Sequence, residues 1–451
     1  MVERRAGTVA SPRVARIVAL VRNAALAALA LYFLAQLAYA VQHTDRYFHD
    51  GYRLARYYAF PLLMAVLLGA ALWRGSDTLK SGLASYGVVI LAGLLIYELM
   101  PTFVALSRTP RSIVDVVLER QAAGERVLPA FTLSAANRWA GVATREAAVL
   151  SNVPEVETVL CSDDGRWISF RADRDGFNNP RRVARPKLAV LGDSYIHGYC
   201  LPTEQTIVGQ LDQRIPGTLG FGVQGNGPLY ELETLEYYLP ALEPPHVVWA
   251  FFEGNDLSDL ELESQLPWLL EALDAPAIGY PRPEKQRSME AVVAHLEAQL
   301  DELRPVVPIE WNRAFALLRT SQALGLHYGR AGGRLDLFER ILVRAQREVR
   351  SWGGTLHLLY LPELDRYTGL LPHAGAMDAS KSLVTQITDR LAIPLIDAAR
   401  AFDAQPDPLA LFNLSHTHYT AEGARVVAET VAAALGYPPA SAAGPQATAS
   451  P

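Results

Sequence analysis

The chain has 451 residues, half of them apolar, and its 47 acidic against 41 basic side chains give a formal charge of −6. That length allows two or three folding units at roughly 100–200 residues each, with a sizeable core. Acids and bases are interspersed without a basic stripe, so nucleic acid is not expected among the partners.

Taken from the N-terminus, residues 1–108 read as a membrane region. Asn23 to Val41, Tyr57 to Trp73 and Leu83 to Leu106 are apolar runs, each near the ~20 residues that a bilayer-spanning helix requires. Ala38-Tyr39-Ala40 fits the small-x-small pattern of a cleavage site. The first run is nevertheless longer than a signal-peptide core of ~7–15 residues and two more runs follow it, so three retained spans are expected. Arg4, Arg5, Arg13, Arg16 and Arg22 precede the first span, and Arg74 and Lys80 lie between the second and third. They outnumber Arg46, Arg53 and Arg56 of the intervening loop, which places the N-terminus inside and everything after the third span outside. Glu98 within the third run is expensive at membrane depth and so is a functional candidate; an interfacial position beside Tyr97, Met100 and Pro101 is the other reading.

Residues 109–186 form a connecting region. Ser112 to Gln121 has helical periodicity, and Glu157–Cys161 with Trp167–Phe170 reads as a hairpin around Ser162-Asp163-Asp164-Gly165. Its role, as tether or as roof over a site, stays open. Over 187–437 the apolar segments Leu188–Leu191, Leu219–Val223, Val247–Phe252, Leu356–Leu361 and Pro394–Asp397 alternate with helical stretches. Such alternation predicts an α/β domain with a doubly wound parallel sheet. An insertion at 257–353 starts with Leu260 to Leu273, breaks at Pro276 to Pro283, and continues as amphipathic helices around Ala291–Leu303, Arg313–Leu324 and Leu335–Trp352. Insertions of that length usually carry an element of their own, here either a lid or a packing layer. The tail 438–451, made of Ala, Pro, Ser and Gly with little apolar bulk, is expected to be disordered.

Chemistry concentrates at strand ends. The first strand breaks at Gly192-Asp193-Ser194, the second is followed by Gly225-Asn226-Gly227, the third ends in Gly254-Asn255-Asp256, and His418-Tyr419-Thr420 opens the last helix. Open α/β sheets place their ligands at the carboxyl ends of the strands. A serine needs a base within hydrogen-bond reach to act as a nucleophile, and His418 is the leading candidate, with His416 as its rival.

The order serine, glycine, asparagine, histidine resembles the SGNH/GDSL hydrolase superfamily over Leu188 to Leu435. The surroundings of Gly225 and Asn255 are similar to a bacterial membrane-anchored subgroup of esterases. The resemblance implies a flavodoxin-like three-layer fold, Ser194 as nucleophile, His418 as general base, and an oxyanion hole made by the N–H groups of Ser194 and Gly225 with the Asn255 amide. With the odd number of spans and the charge asymmetry of their loops, the expected location is the inner membrane, with the catalytic domain facing the periplasm or the cell exterior.

One departure stands out. Many members carry an aspartate three residues before the histidine, where this chain has Ser415. Asp256, Asp397, Asp403 or Asp407 could supply the orienting acid, a backbone carbonyl could hold the imidazole, or the pair could work as a dyad. The two cysteines, Cys161 and Cys200, are expected to be bridged in an oxidising compartment. No cysteine or histidine spacing offers a metal site, and no cofactor is expected. The sequence therefore points to a membrane-anchored serine esterase acting on ester-linked acyl groups, with an acylated small molecule or a cell-envelope or exported glycan as substrate. Two alternatives stand beside it: an O-acyltransferase using the same Ser-His pair, and an idle domain that binds glycan or a glycan-biosynthesis partner.

Overall fold

The computed structural model describes residues 11–44, 50–107, 111–163, 165–279, 282–304, 311–327, 334–371 and 374–437. Arg4, Arg5 and Arg46 of the charge argument, Asp164 of the hairpin turn, the middle of the Pro276–Pro283 break and the tail 438–451 lie outside them. The chain divides into two compact units. One comprises Met1–Thr109, Val307–Ala331 and Gly369–Ala376, and the other comprises Pro110–Val306, Gly332–Thr368 and Met377–Pro451.

In the first unit three helices are long and apolar enough to cross a membrane: α1 (Pro12–Gln42), α2 (Gly51–Arg74) and α3 (Asp77–Ser107). Each extends beyond the apolar run that marked it, because a helix continues through flanking polar residues once started. Ser11 caps α1, with Pro12 at the first helical position where its missing N–H costs nothing. Inside α2 the stretch Leu54–Ala59 is π-helical. Pro61 follows after Phe60, and the wider turn relieves the clash that a proline ring makes with the carbonyl four residues earlier. Two short helices of the insertion, Trp311–Phe315 and Leu318–Leu324, belong to this unit. Glu98 is 5 % exposed and accepts hydrogen bonds from the N–H groups of Arg319 (2.9 Å) and Thr320 (2.7 Å) and from the Thr320 hydroxyl. It thus serves as an N-terminal anion for the helix Leu318–Leu324.

The second unit holds two sheets. β1 (Val127–Pro129), β2 (Glu157–Asp163) and β3 (Arg166–Arg171) form the smaller one, with the expected hairpin between β2 and β3. β4 (Leu188–Gly192), β5 (Thr218–Gly222), β6 (His246–Phe252), β7 (Thr355–Leu361) and β8 (Leu395–Asp397) form the larger one, all parallel, in the order β5-β4-β6-β7-β8. That is the flavodoxin-like order. Side chains alternate between two buried faces, as a pleated strand covered on both sides requires. Ala189, Leu191, Val247 and Trp249 pack with the helices Pro228–Tyr238 and Leu335–Ser351, while Leu188, Val190, Val248 and Ala250 pack with Ile207–Arg214 and Ala421–Ala434.

The connecting region is integral to this unit rather than a tether. Cys161 of β2 and Cys200 are joined by a disulfide with Cα atoms 5.6 Å apart. Arg145 lies in a buried ion network on the helix Pro228–Tyr238, donating to Glu233 and, at 2.8 Å, to Glu236. Within the insertion, Asp256–Glu263, Pro267–Leu270, Pro283–Gln299 and Leu335–Ser351 remain in this unit, and Leu260, Leu269, Val292 and Phe338 contribute to its core.

Candidate active site

Ser194 opens the short helix Ser194–His197 directly after β4. Asp193 caps that helix, its Oδ1 accepting from the N–H of Tyr195 at 2.9 Å. The N–H of Ser194 is among the first of the helix and has no intrahelical partner, which leaves it available as a donor. Ser194 Oγ lies 2.8 Å from His418 Nε2 and 3.4 Å from Asp193 Oδ2. The shorter contact takes the single hydroxyl proton.

His418 Nδ1 is 2.8 Å from the carbonyl oxygen of His416. A carbonyl only accepts, so Nδ1 carries the proton and the lone pair of Nε2 faces Ser194. Burial lowers the His418 pKa to about 4, helped by the neighbouring His416 ring and opposed by the bond to the carbonyl. The Tyr195 and Tyr199 rings lie against the imidazole at centroid distances of 4.8 and 4.5 Å.

None of the four candidate acids is hydrogen-bonded to His418 among the described contacts. Asp256 accepts from the N–H of Phe252, and Asp397 caps the helix Ala398–Asp403 and pairs with Lys381 at 2.5 Å. Asp403 lies beside Tyr367, and Asp407 accepts from the N–H of Leu409. The position of an orienting carboxylate is taken by a backbone carbonyl. His416 itself is set back, its ring centroid 5.7 Å from that of His418.

Gly225 follows β5 with φ +69°, a left-handed conformation that suits glycine. An added Cβ there would meet Thr132 Cγ2 at 3.0 Å, so the connecting region lies against this glycine. Asn255 follows β6 and starts the helix Asp256–Glu263. Its side chain hydrogen-bonds the Asp193 carboxylate, which burial raises to about 6. An amide has two N–H donors, so one remains for a ligand. The structure therefore gathers Ser194, His418, Gly225 and Asn255 at the carboxyl edge of β4, β5 and β6, where the strand order reverses and such sheets bind ligands.

Three neighbours escaped the sequence reading. Thr132 and Tyr199 carry no local signal. Glu363, two residues past β7, has a strand-end address that could have marked it; its carboxyl carbon lies 3.2 Å from where a Cβ on Gly254 would stand, and burial raises its pKa to about 8. Among the described residues no cluster of His, Cys, Asp and Glu could hold a metal ion.

No family model and no curated protein sequence matches the chain. Solved structures do. A catalytic mutant of an acetylxylan esterase from Geobacillus stearothermophilus is 17 % identical over 57 % of this chain and 98 % of its own, with a TM-score of 0.33. A lipase/acylhydrolase from Enterococcus faecalis is 13 % identical over 55 % and 93 %, with a TM-score of 0.32. A lipase from a goat rumen metagenome is 14 % identical over 56 % and 98 %, with a TM-score of 0.31. The strand order β5-β4-β6-β7-β8 is the one expected of the SGNH/GDSL fold that the sequence resembles.

Proposed function

We propose that the chain is a membrane-anchored serine esterase acting on ester-linked acyl groups, with an acylated glycan of the cell envelope, or one exported through it, as the substrate class. The observation that carries the reading is the Ser194 Oγ to His418 Nε2 contact of 2.8 Å with the imidazole tautomer fixed from behind. As Oγ attacks the ester carbonyl, its proton passes to Nε2. The oxyanion meets the N–H groups of Ser194 and Gly225 and the Asn255 amide, donors held in place before charge develops. His418 returns the proton to the leaving alcohol, and water drawn through the same nitrogen clears the acyl-enzyme. The Cys161–Cys200 disulfide favours an oxidising compartment, in keeping with a catalytic unit outside the cytoplasm.

An O-acyltransferase would share every step to the acyl-enzyme and differ in the acceptor. Turnover of an aryl acetate by the full chain tests the reading. Ser194→Ala and His418→Ala should each abolish turnover with unchanged thermal melts, since the two act as one unit, whereas His416→Ala keeps the carbonyl and should be mild. Equal damage from His416→Ala and none from His418→Ala would assign the base to the wrong histidine.

A further inference from the structure

A cavity of about 880 Å³ lies within the first unit, between the three spans, inside the ~300–1,000 Å³ range of small-molecule sites. Its walls are apolar over most of their length, with Leu29 and Phe33 of α1, Met64 and Leu68 of α2, and Leu83 and Leu94 of α3. It also opens sideways. Tyr86 and Ile90 line it, yet they are 73 % and 59 % exposed on the flank of the bundle, where a bilayer would present hydrocarbon.

One end is polar. Gln36, Arg56, Thr320 and Ser321 meet there. Along α1 the lining runs from Leu29 to Gln36, and along the antiparallel α2 from Gly51, Tyr52 and Arg56 to Leu68, so polarity changes along the helix axes as it does along a lipid. The Arg56 guanidinium donates to Ser321 Oγ at 3.2 Å and lies over the rings of Tyr57 and Phe60. Arg56 stands on the π-helical stretch Leu54–Ala59. Such turns interrupt a helix at a cost and occur often at functional sites. Ser321 is held in turn, because Glu98 fixes the start of its helix.

We infer that this cavity is a phospholipid site, with an acyl chain between the spans and the phosphate at the Arg56 guanidinium. An apolar void of this size forfeits contacts on every wall, and in a membrane the material at hand to fill it is a lipid chain. Guanidinium matches phosphate geometry with paired N–H donors. The site is independent of the hydrolase chemistry and rests on α1 to α3 lying in a bilayer.

Gly82 gives a clean test, since it lines the cavity and an added Cβ would meet nothing within 4 Å. A larger side chain there grows into the void. Gly93, on the same span, is equally open but faces outward and does not line the cavity, so Gly93→Phe is the control. Native mass spectrometry of the detergent-solubilised full chain would compare palmitoyl-oleoyl phosphatidylglycerol with the diacylglycerol of the same chains. Wild type and Gly93→Phe should retain one phosphatidylglycerol and prefer it by about tenfold or more, the value of a hydrogen bond to a charged group. Gly82→Phe should lose the bound lipid. Arg56→Gln should bind the two lipids alike, and this comparison decides the matter should Gly82→Phe fail to fold. Retention by a folded Gly82→Phe equal to wild type, or a wild type with no preference for the phosphate, would overturn the proposal.

Discussion

At His418 the imidazole donates to a neutral carbonyl, so the imidazolium that the proposed attack would form has no carboxylate hydrogen-bonded to it among the described residues. Two other features act in its place. The Tyr195 and Tyr199 rings lie within 5 Å of the imidazole centroid, and an aromatic face attracts a cation by about 0.5–2 kcal/mol. Burial, the main cause of the lowered pKa, keeps the free imidazole uncharged and ready to accept a proton. The consequence is a wide acid range. Because His418 protonates only near pH 4, ester turnover should stay level from about pH 8 down to about pH 5 and fall below that. A pH–rate profile checks this; an acid limb near pH 6.5, the value of a solvated imidazole, would contradict the burial argument.

At the scale of elements, the helix Pro228–Tyr238 shows what sequence could and could not reveal. Every one of its residues is buried, although Glu231, Glu233 and Glu236 would ordinarily mark a solvated face. Arg145 and Arg282 reach Glu233, and Arg145 and Arg344 reach Glu236, from positions far apart in the chain. No local pattern announces such a network. Removing one cation strands buried carboxylates, so Arg145→Ala should lower stability by about 3–5 kcal/mol in denaturant melts; a loss under about 1 kcal/mol would mean that water enters and solvates Glu233 and Glu236. The strands, by contrast, were legible because apolar runs bounded by turn residues specify a buried parallel sheet whatever surrounds them. The places of Ser194, Gly225 and Asn255 just past strand ends, and of His418 before the last helix, were legible as well. The His416 carbonyl was not, since every residue type carries the same backbone atom. Nor did the apolar runs reveal that part of the insertion joins the helices α1 to α3, because that is fixed by partners such as Glu98.

Across the whole molecule, burial sets two opposed pH trends. Asp193, Asp259 and Glu263 are raised to about 6, 7 and 8, and Glu231 and Asp256 well above their usual values, all chiefly by desolvation. A raised folded pKa contributes stability below the unfolded value near 4 and loses it as pH rises through the folded one. His197, His357 and His418, lowered to about 4 by burial, act the other way: their contribution is present above 6.5 and lost as pH falls toward 4. The carboxylates prevail on the alkaline side, where the histidines no longer titrate, so the melting temperature should fall between pH 7 and 9. Glu231→Gln, which cannot ionise, should make that fall shallower; an unchanged slope would place the titration elsewhere. The proposed esterase rests on one activated serine, Ser194. A fluorophosphonate probe applied to the full chain, with the adduct mapped by peptide mass spectrometry, tests it most directly. One adduct is expected, on Ser194, and it should disappear in His418→Ala; labelling elsewhere, no labelling, or an adduct indifferent to His418 would overturn the Ser194–His418 assignment.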